Sequence, residues 1–293
     1  MNKDILKYIT NTSIGISSKE KFVAIIGGSP SKGARSPKLW NAAFKKLNRN
    51  IKMYPLDVNP ENLKKLINFL GKNKNFLGGA VTVPYKEKVY RLLQKNSTRE
   101  AKKIEAVNCL YRNNKNILKI TNTDGEASIE AFKKKFKKTK VRKILVIGCG
   151  GAGKAVSTYF ASLEDTKKLT ILSRKNIDQI FAKKIKAQWL HRKKINEMDN
   201  NFDLIINCTT LGFNKDLNKM PLSKKYILEL KKKTIIYDII YKPLKTKLIK
   251  SVKSKGIKFL NGLDMNLYQA ALAFNYVNKS NLNLNKIKKI MKV

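Results

Sequence analysis

The sequence predicts an α/β protein of two domains, the second built on a parallel sheet. Three observations carry this. The chain has 293 residues, and domains of about 100–200 residues make two the natural division. Short apolar runs alternate with helical patterns along its length, the pattern of strands covered by helices. Finally, Gly148-x-Gly150-x-x-Gly153 stands where one such run gives way to a helix.

In the first block, 22–26 reads as a strand. A helix follows over 37–47, with Ser36 as its N-cap and Pro37 in its first turn. Strands at 51–56 and 79–83 and helices at 60–70 and 86–93 come next. The runs 106–112 and 117–120 read as a strand pair about the turn Asn113-Asn114. The second block starts at 143–147, whose unbroken apolar character marks a strand buried on both faces. A helix to about residue 163, strands at 169–172, 204–207 and 235–238, and a last one around Phe259 continue the alternation. The final helix is set at 267–277.

Composition excludes several function classes. Hydrophobic residues make up 42% of the chain, enough for packed cores. Three cysteines, Cys109, Cys149 and Cys208, are too few and too dispersed for a disulfide scaffold or a local metal site. One histidine, His191, leaves little for histidine catalysis, and it reads as a surface residue. Lys+Arg is 63 against Asp+Glu 20, a net charge of +43, which raises nucleic acid as a partner. Yet the lysines are spread over the whole chain. The densest run, 133–138 with Lys140, Arg142 and Lys143, reads as a solvated helix face leading to a strand, or as a phosphate-binding patch. No apolar run reaches about 18 residues and the N-terminus has no long apolar core, so a cytoplasmic location is expected.

The glycine motif carries the first functional signal. Between a strand and a helix, these glycines permit a tight turn and a close approach to a pyrophosphate, and the helix start supplies N–H groups and positive dipole. Gly148, Gly150, Gly151, Ala152 and Gly153 are therefore candidate cofactor contacts. The end of the next strand selects between cofactors. An Asp or Glu there holds the ribose hydroxyls of NAD. This chain has Ser173-Arg174-Lys175 instead, two cations suited to a 2′-phosphate, so NADP(H) is expected.

Four segments of the first block stand out: Ser36-Pro37-x-x-x-Asn41, Gly79-Ala80-Val81-Thr82-Val83-Pro84-Tyr85-Lys86, Ala106-Val107-Asn108 and Asn122-Thr123-Asp124-Gly125. In the second block, Asp203 to Thr209, Asp238-Ile239-Ile240-Tyr241-x-Pro243 and Gly262-x-x-Met265-x-x-x-Gln269 follow the glycine loop in order. Together they resemble the shikimate dehydrogenase family, over about residues 24–274. The resemblance implies an N-terminal α/β substrate domain, residues 1–123 completed by C-terminal helices at 263–293. It faces a Rossmann-like NADP-binding domain, 124–262, across a cleft. It also implies NADP-dependent, reversible reduction of 3-dehydroshikimate to shikimate, a step of aromatic amino acid biosynthesis. The protein would act on a small molecule as a monomer or homodimer, with no membrane and no specific nucleic acid as partner. Lys86 and Asp124 look like the catalytic pair. Ser36, Thr82, Asn108 and Gln269 look like substrate contacts, Tyr241 lies at the cleft, and Ile239 and Gly262 join the cofactor contacts. Plainer roles compete: a helix N-cap for Asp124, a turn-stabilising amide for Asn108, an exposed helix position for Gln269.

Two family features are missing. Ala34 stands at the first serine of the family's Ser-x-Ser-Pro, and Ala80 at the Asn before Val-Thr. Arg35 or Lys32 is expected to take over the carboxylate contact. The departures keep open a paralogue acting on another hydroxylated cyclic acid, quinate-like or aminoshikimate-like. A non-catalytic NADP-binding or basic nucleic-acid-binding protein is the remaining alternative.

Overall fold

The computed structural model describes residues 3–292 apart from 13, 138 and 281. The chain divides into two compact units, residues 1–123 with 267–293, and residues 124–266.

The first unit opens with a short helix, α1 (Lys3–Leu6), and continues β1 (Phe22–Gly27), α2 (Ser36–Lys46), β2 (Lys52–Asp57), α3 (Leu63–Lys72), β3 (Phe76–Val81), α4 (Lys86–Leu93), α5 (Arg99–Ile104), β4 (Cys109–Arg112) and β5 (Leu118–Thr121). The strands form one sheet in the order β2-β1-β3-β4-β5. β1 runs parallel to both β2 and β3, and β4 pairs antiparallel with β3 and β5. β1 is buried on both faces, as its unbroken apolar run requires. Phe22, Ala24 and Ile26 pack with Leu63, Leu66, Ile67 and Leu70 of α3 on one side. Val23 and Ile25 pack with Leu39, Trp40 and Phe44 of α2 and with Phe274 and Ile287 on the other.

The second unit runs α6 (Asp124–Phe136), β6 (Lys143–Ile147), α7 (Gly151–Ala161), β7 (Lys168–Ser173), α8 (Asp178–Lys184), β8 (Gln188–His191), β9 (Leu204–Asn207), α9 (Lys224–Glu229), β10 (Ile235–Asp238), α10 (Lys247–Ser254) and β11 (Lys258–Asn261). Its six strands are parallel throughout, in the order β11-β10-β9-β6-β7-β8. That is the doubly wound nucleotide-binding order, with its reversal point between β6 and β9. Leu145, Ile205 and Ile236 cover one face with Tyr226, Ile227, Leu248 and Val252. α6 lies against α7, where Phe132 and Phe160 meet edge to face at 5.7 Å. Helix α11 (Leu263–Asn278) leads back into the first unit, which α12 (Leu284–Met291) completes.

Several expectations shift. Ser36 is the first residue of α2 rather than its cap; Arg35 holds the cap position, with no side-chain hydrogen bond there. α3 starts at Leu63, later than expected, after a turn over 60–62. β3 is displaced to 76–81, and α11 starts at Leu263. Asp124 opens α6 instead of preceding it. His191 is half-buried, and its Nδ1 accepts from the Lys193 N–H at 3.3 Å. The lysines at 133–135 form the exposed last turn of α6, where their charge suits the helix dipole. Lys138 lies outside the described residues.

Candidate active site

In the second unit the glycine loop leaves β6 at the reversal point of the sheet. Gly148 has φ +102°, where only glycine sits without strain, and a Cβ there would press on the Cys208 carbonyl at the end of β9. A Cβ at Gly153 would run into the Gly148 carbonyl, so the third glycine lets α7 close onto the loop. Gly150 caps α7 without a side chain, and the first helical bond is donated by Lys154 to Gly150 at 2.9 Å. The N–H groups of Gly151, Ala152 and Gly153 thus have no partner within the helix, at its positive end. Such an arrangement of backbone N–H groups could hold a pyrophosphate.

Ser173 ends β7, and its hydroxyl accepts the Trp189 indole N–H at 2.8 Å. Arg174 and Lys175 follow, both exposed. The first acid after the strand is Asp178, already in α8 and buried. The residues present therefore fit a phosphorylated ribose better than a bare diol.

Beyond β10, Ile239 donates its N–H to Asn207 at 3.1 Å, and Gly262 donates to Ile240 at 3.0 Å. A side chain at Gly262 would strike the Ile239 carbonyl, so these two predicted contacts are brought together. Tyr241 follows, half-buried. Beneath this loop lies a network the sequence reading did not assign. Asp238 accepts from Asn207 Nδ2 at 3.0 Å, from Thr246 Oγ1 at 2.6 Å and from the Ile240 N–H at 3.2 Å. Burial nonetheless pushes its carboxyl up to about 6. Cys149 is buried, and burial together with Asp238 raises the Cys208 thiol well above its ordinary range, so neither the position nor the charge suits redox chemistry.

In the first unit the predicted substrate residues gather at one edge of the sheet. β1 and β3 end there, and antiparallel β4 begins there. Thr82 leaves β3 with its N–H on the Ile26 carbonyl at 2.9 Å. The Val81 N–H donates to the Asn108 carbonyl at 2.9 Å, and the Val107 N–H to the Lys86 carbonyl at 3.0 Å. The Lys86 backbone, at the start of α4, is thereby fixed beside Asn108. The Asn108 side chain is buried and hydrogen-bonded. Its Nδ2 donates to Thr123 Oγ1 at 2.9 Å and to Gln269 Oε1 at 3.1 Å, and its Oδ1 accepts the Thr123 N–H at 2.8 Å. Gln269, on α11, is half-buried rather than an exposed helix residue. Ser36 is buried in the first turn of α2, on the connection that follows β1. Asp57 orders that connection, accepting from the Ser31 N–H at 2.9 Å and from its hydroxyl. Thr123 is the partner the sequence reading quoted but gave no role. Its signal was its place between Asn122 and Asp124 in the quoted motif. Asp124 follows it in the chain and is buried.

The chain is similar to known proteins over nearly its whole length. The sequence model of the shikimate dehydrogenase substrate binding domain matches residues 26–110. A shikimate dehydrogenase (NADP(+)) from Carboxydothermus hydrogenoformans is 35% identical over 268 residues, 88% of this chain and 92% of that one. A crystal structure of a shikimate dehydrogenase in complex with NADP+ superposes with a TM-score of 0.80 at 28% identity, covering 94% of this chain and 96% of that one. Another, from Thermus thermophilus in complex with NADP(H) and shikimate, gives a TM-score of 0.75 at 26% identity, covering 92% and 98%. With its two sheets, its glycine loop and relatives of this similarity over nearly its whole length, the chain belongs to the shikimate dehydrogenase family.

Proposed function

We propose that the protein is an NADP-dependent oxidoreductase that interconverts 3-dehydroshikimate and shikimate, with Lys86 and Asp124 as its catalytic pair. The observation that carries the reading is the cluster at the first unit's sheet edge. There Asn108, Thr123 and Gln269 are locked together beside the Lys86 backbone. Such a cluster presents fixed donors and acceptors, which a polyhydroxylated acid needs.

Reducing a ketone requires a hydride at carbon and a proton at oxygen. Gly148, Gly150, Gly151, Ala152, Gly153, Ser173, Arg174, Lys175, Ile239 and Gly262 would hold NADP(H), which when bound would supply or accept the hydride. Lys86 moves the proton at the reacting oxygen, or holds the developing alkoxide by its charge. Asp124 is the carboxylate of the pair and accepts from a ring hydroxyl. Ser36, Thr82, Asn108, Gln269 and Tyr241 fix the ring. For Asn108 the competing turn-stabilising role has support too, since its amide already spans Thr123 and Gln269. It presents Gln269 to the substrate as much as it binds.

A second reading has its own observation. Ala34 and Ala80 both pack against an apolar cluster with Val23, Ile25 and Leu267. No polar side chain replaces the family's serine and asparagine at those two positions. Each loss removes a hydrogen bond worth about 0.5–1.5 kcal/mol, more toward a carboxylate. Arg35, half-buried at the cap of α2, is the nearest cation in sequence to substitute. Without it, a differently substituted cyclic acid is the better substrate.

The test is reduction of NADP+ with shikimate, followed by absorbance, beside quinate and NAD+. Shikimate turnover is expected, with Lys86→Ala lowering it by about 100-fold or more while NADP+ binding persists. Turnover of quinate but not shikimate favours the second reading. Turnover unaffected by Lys86→Ala removes lysine from the chemistry.

A further inference from the structure

We propose that Arg192, at the end of β8, is a further specificity-determining residue for the cofactor, closing with Arg174 on the ribose 2′-phosphate. The inference rests on the NADP(H) reading above and assigns a residue that the sequence motifs do not contain.

β7 and β8 run parallel with Ser173 opposite His191. The next residues, Arg174 and Arg192, therefore leave the carboxyl edge of the sheet from neighbouring strands, which lie about 4.8 Å apart. Arg192 is half-buried. Its guanidinium is held below its ordinary range by burial and, next, by the charge of Arg174. The two cations feel each other, and among the described residues no ion pair joins either to a carboxylate. The acid that senses Arg174, Asp216, is bound to Lys219 at 2.8 Å. Among the described residues Arg192 makes one hydrogen bond, a long 3.5 Å one to the Pro221 carbonyl, out of five N–H donors.

Two unneutralised guanidinium groups at a strand end repel one another. A phosphate monoester dianion removes that repulsion and accepts from both planar forks. Ser173, its hydroxyl positioned by Trp189, completes a polar floor between the two strands. The arrangement discriminates in both senses. It rewards the 2′-phosphate, and it leaves the paired charges unrelieved when NAD+ binds.

The experiment titrates 2′,5′-ADP and 5′-AMP into the protein by calorimetry, for the wild type, Arg192→Ala and Arg192→Lys. In parallel, KM is measured for NADP+ and NAD+. Arg192→Ala is expected to weaken 2′,5′-ADP by about 10- to 100-fold and to leave 5′-AMP within about twofold. Arg192→Lys, which keeps the charge and loses the fork, falls between. Equal weakening of both nucleotides makes Arg192 a purely structural residue and overturns the proposal, as does no change in either. A wild type that binds both nucleotides alike overturns the NADP(H) reading itself. A wild type that prefers 2′,5′-ADP, with variants that prefer it equally, overturns the role of Arg192 alone.

Discussion

Arg112 shows how much one side chain can hold. It ends β4, is buried, and donates to five backbone carbonyls. Nε reaches Phe76 at 2.7 Å, Nη1 reaches Asn116 at 2.7 Å, and Nη2 reaches Leu70, Gly71 and Asn73 at 3.0, 3.1 and 2.8 Å. Leu70 and Gly71 belong to the last turn of α3, where carbonyls have no helical partner. The cation therefore satisfies the negative end of the helix and ties it to β3 and to the 113–117 turn, with no carboxylate involved. Burial lowers its pKa, which records the desolvation it carries. Lysine keeps a charge there but cannot serve five acceptors in one plane. Arg112→Lys is expected to cost about 2–4 kcal/mol, since each abandoned buried carbonyl costs about 1–3 kcal/mol. Urea unfolding of a Trp189→Phe background, in which Trp40 alone reports on the first unit, measures it. A change below about 0.5 kcal/mol, the size of an ordinary surface substitution, refutes the account. The sequence shows an arginine at the end of a predicted strand and nothing of this role, because all five acceptors are main-chain atoms. Lys86, Asp124 and Gln269 stand out in the sequence for the opposite reason: each sits in a motif, and the motifs follow one another in the order that resembles the family.

At the scale of elements, what was legible followed burial. β1, β6, β9 and β10 are buried on both faces and read as continuous apolar runs. β8, Gln188-Trp189-Leu190-His191, is an edge strand exposed at one end and half-buried elsewhere, and was missed. β3 was misplaced because Gly78 sits in it at φ +136°, where a Cβ would meet the Leu110 carbonyl of β4. Glycine there marks close strand approach, not a strand end. α5, α8, α9 and α10 are six to eight residues long and lysine-rich, too short to show a period. The ends of β9 and β10 carry a further consequence. Asp238 titrates near 6 in the folded protein because burial outweighs its three hydrogen bonds. The folded state therefore binds this proton more tightly than the unfolded chain, whose carboxyl has an ordinary pKa. Between about pH 4 and 6 the folded state holds more protons, so this group's contribution to stability falls as pH rises. Over its full span, from below about pH 3 to pH 7, the loss is about 3 kcal/mol, at 1.36 kcal/mol per pKa unit. Asp238→Asn keeps one oxygen to accept from Asn207 and Ile240, turns the Thr246 contact into one its amide donates, and removes the titration. The stability of this variant relative to the wild type is expected to be more favourable at pH 7 than at pH 4.5, by thermal unfolding at both. A difference independent of pH rules out Asp238 as the titrating group.

At the scale of the whole molecule the governing quantity is charge. The chain carries +43, and several of its ion pairs are made by exposed lysines: Lys7–Asp4, Lys134–Asp264, Lys140–Asp165 and Lys219–Asp216. Exposed pairs contribute about 0–1 kcal/mol each and are themselves screened by salt. The repulsion among surplus lysines acts across the whole surface and opposes the compact state. Raising salt from about 10 to 150 mM shortens the Debye length from about 30 Å to about 8 Å, removing far more repulsion than attraction. The apoprotein is therefore expected to gain Tm over this range in KCl. Cofactor binding moves the other way. An NADP+ anion drawn to a chain of this charge is held in part by long-range attraction, so its Kd is expected to rise over the same range. The two slopes separate the roles of the lysines. A rising Tm with a Kd for NADP+ that ignores salt places the excess charge on the folding side alone. A falling Tm means that attractive pairs outweigh the surplus, and the lysines are then arranged rather than merely accumulated.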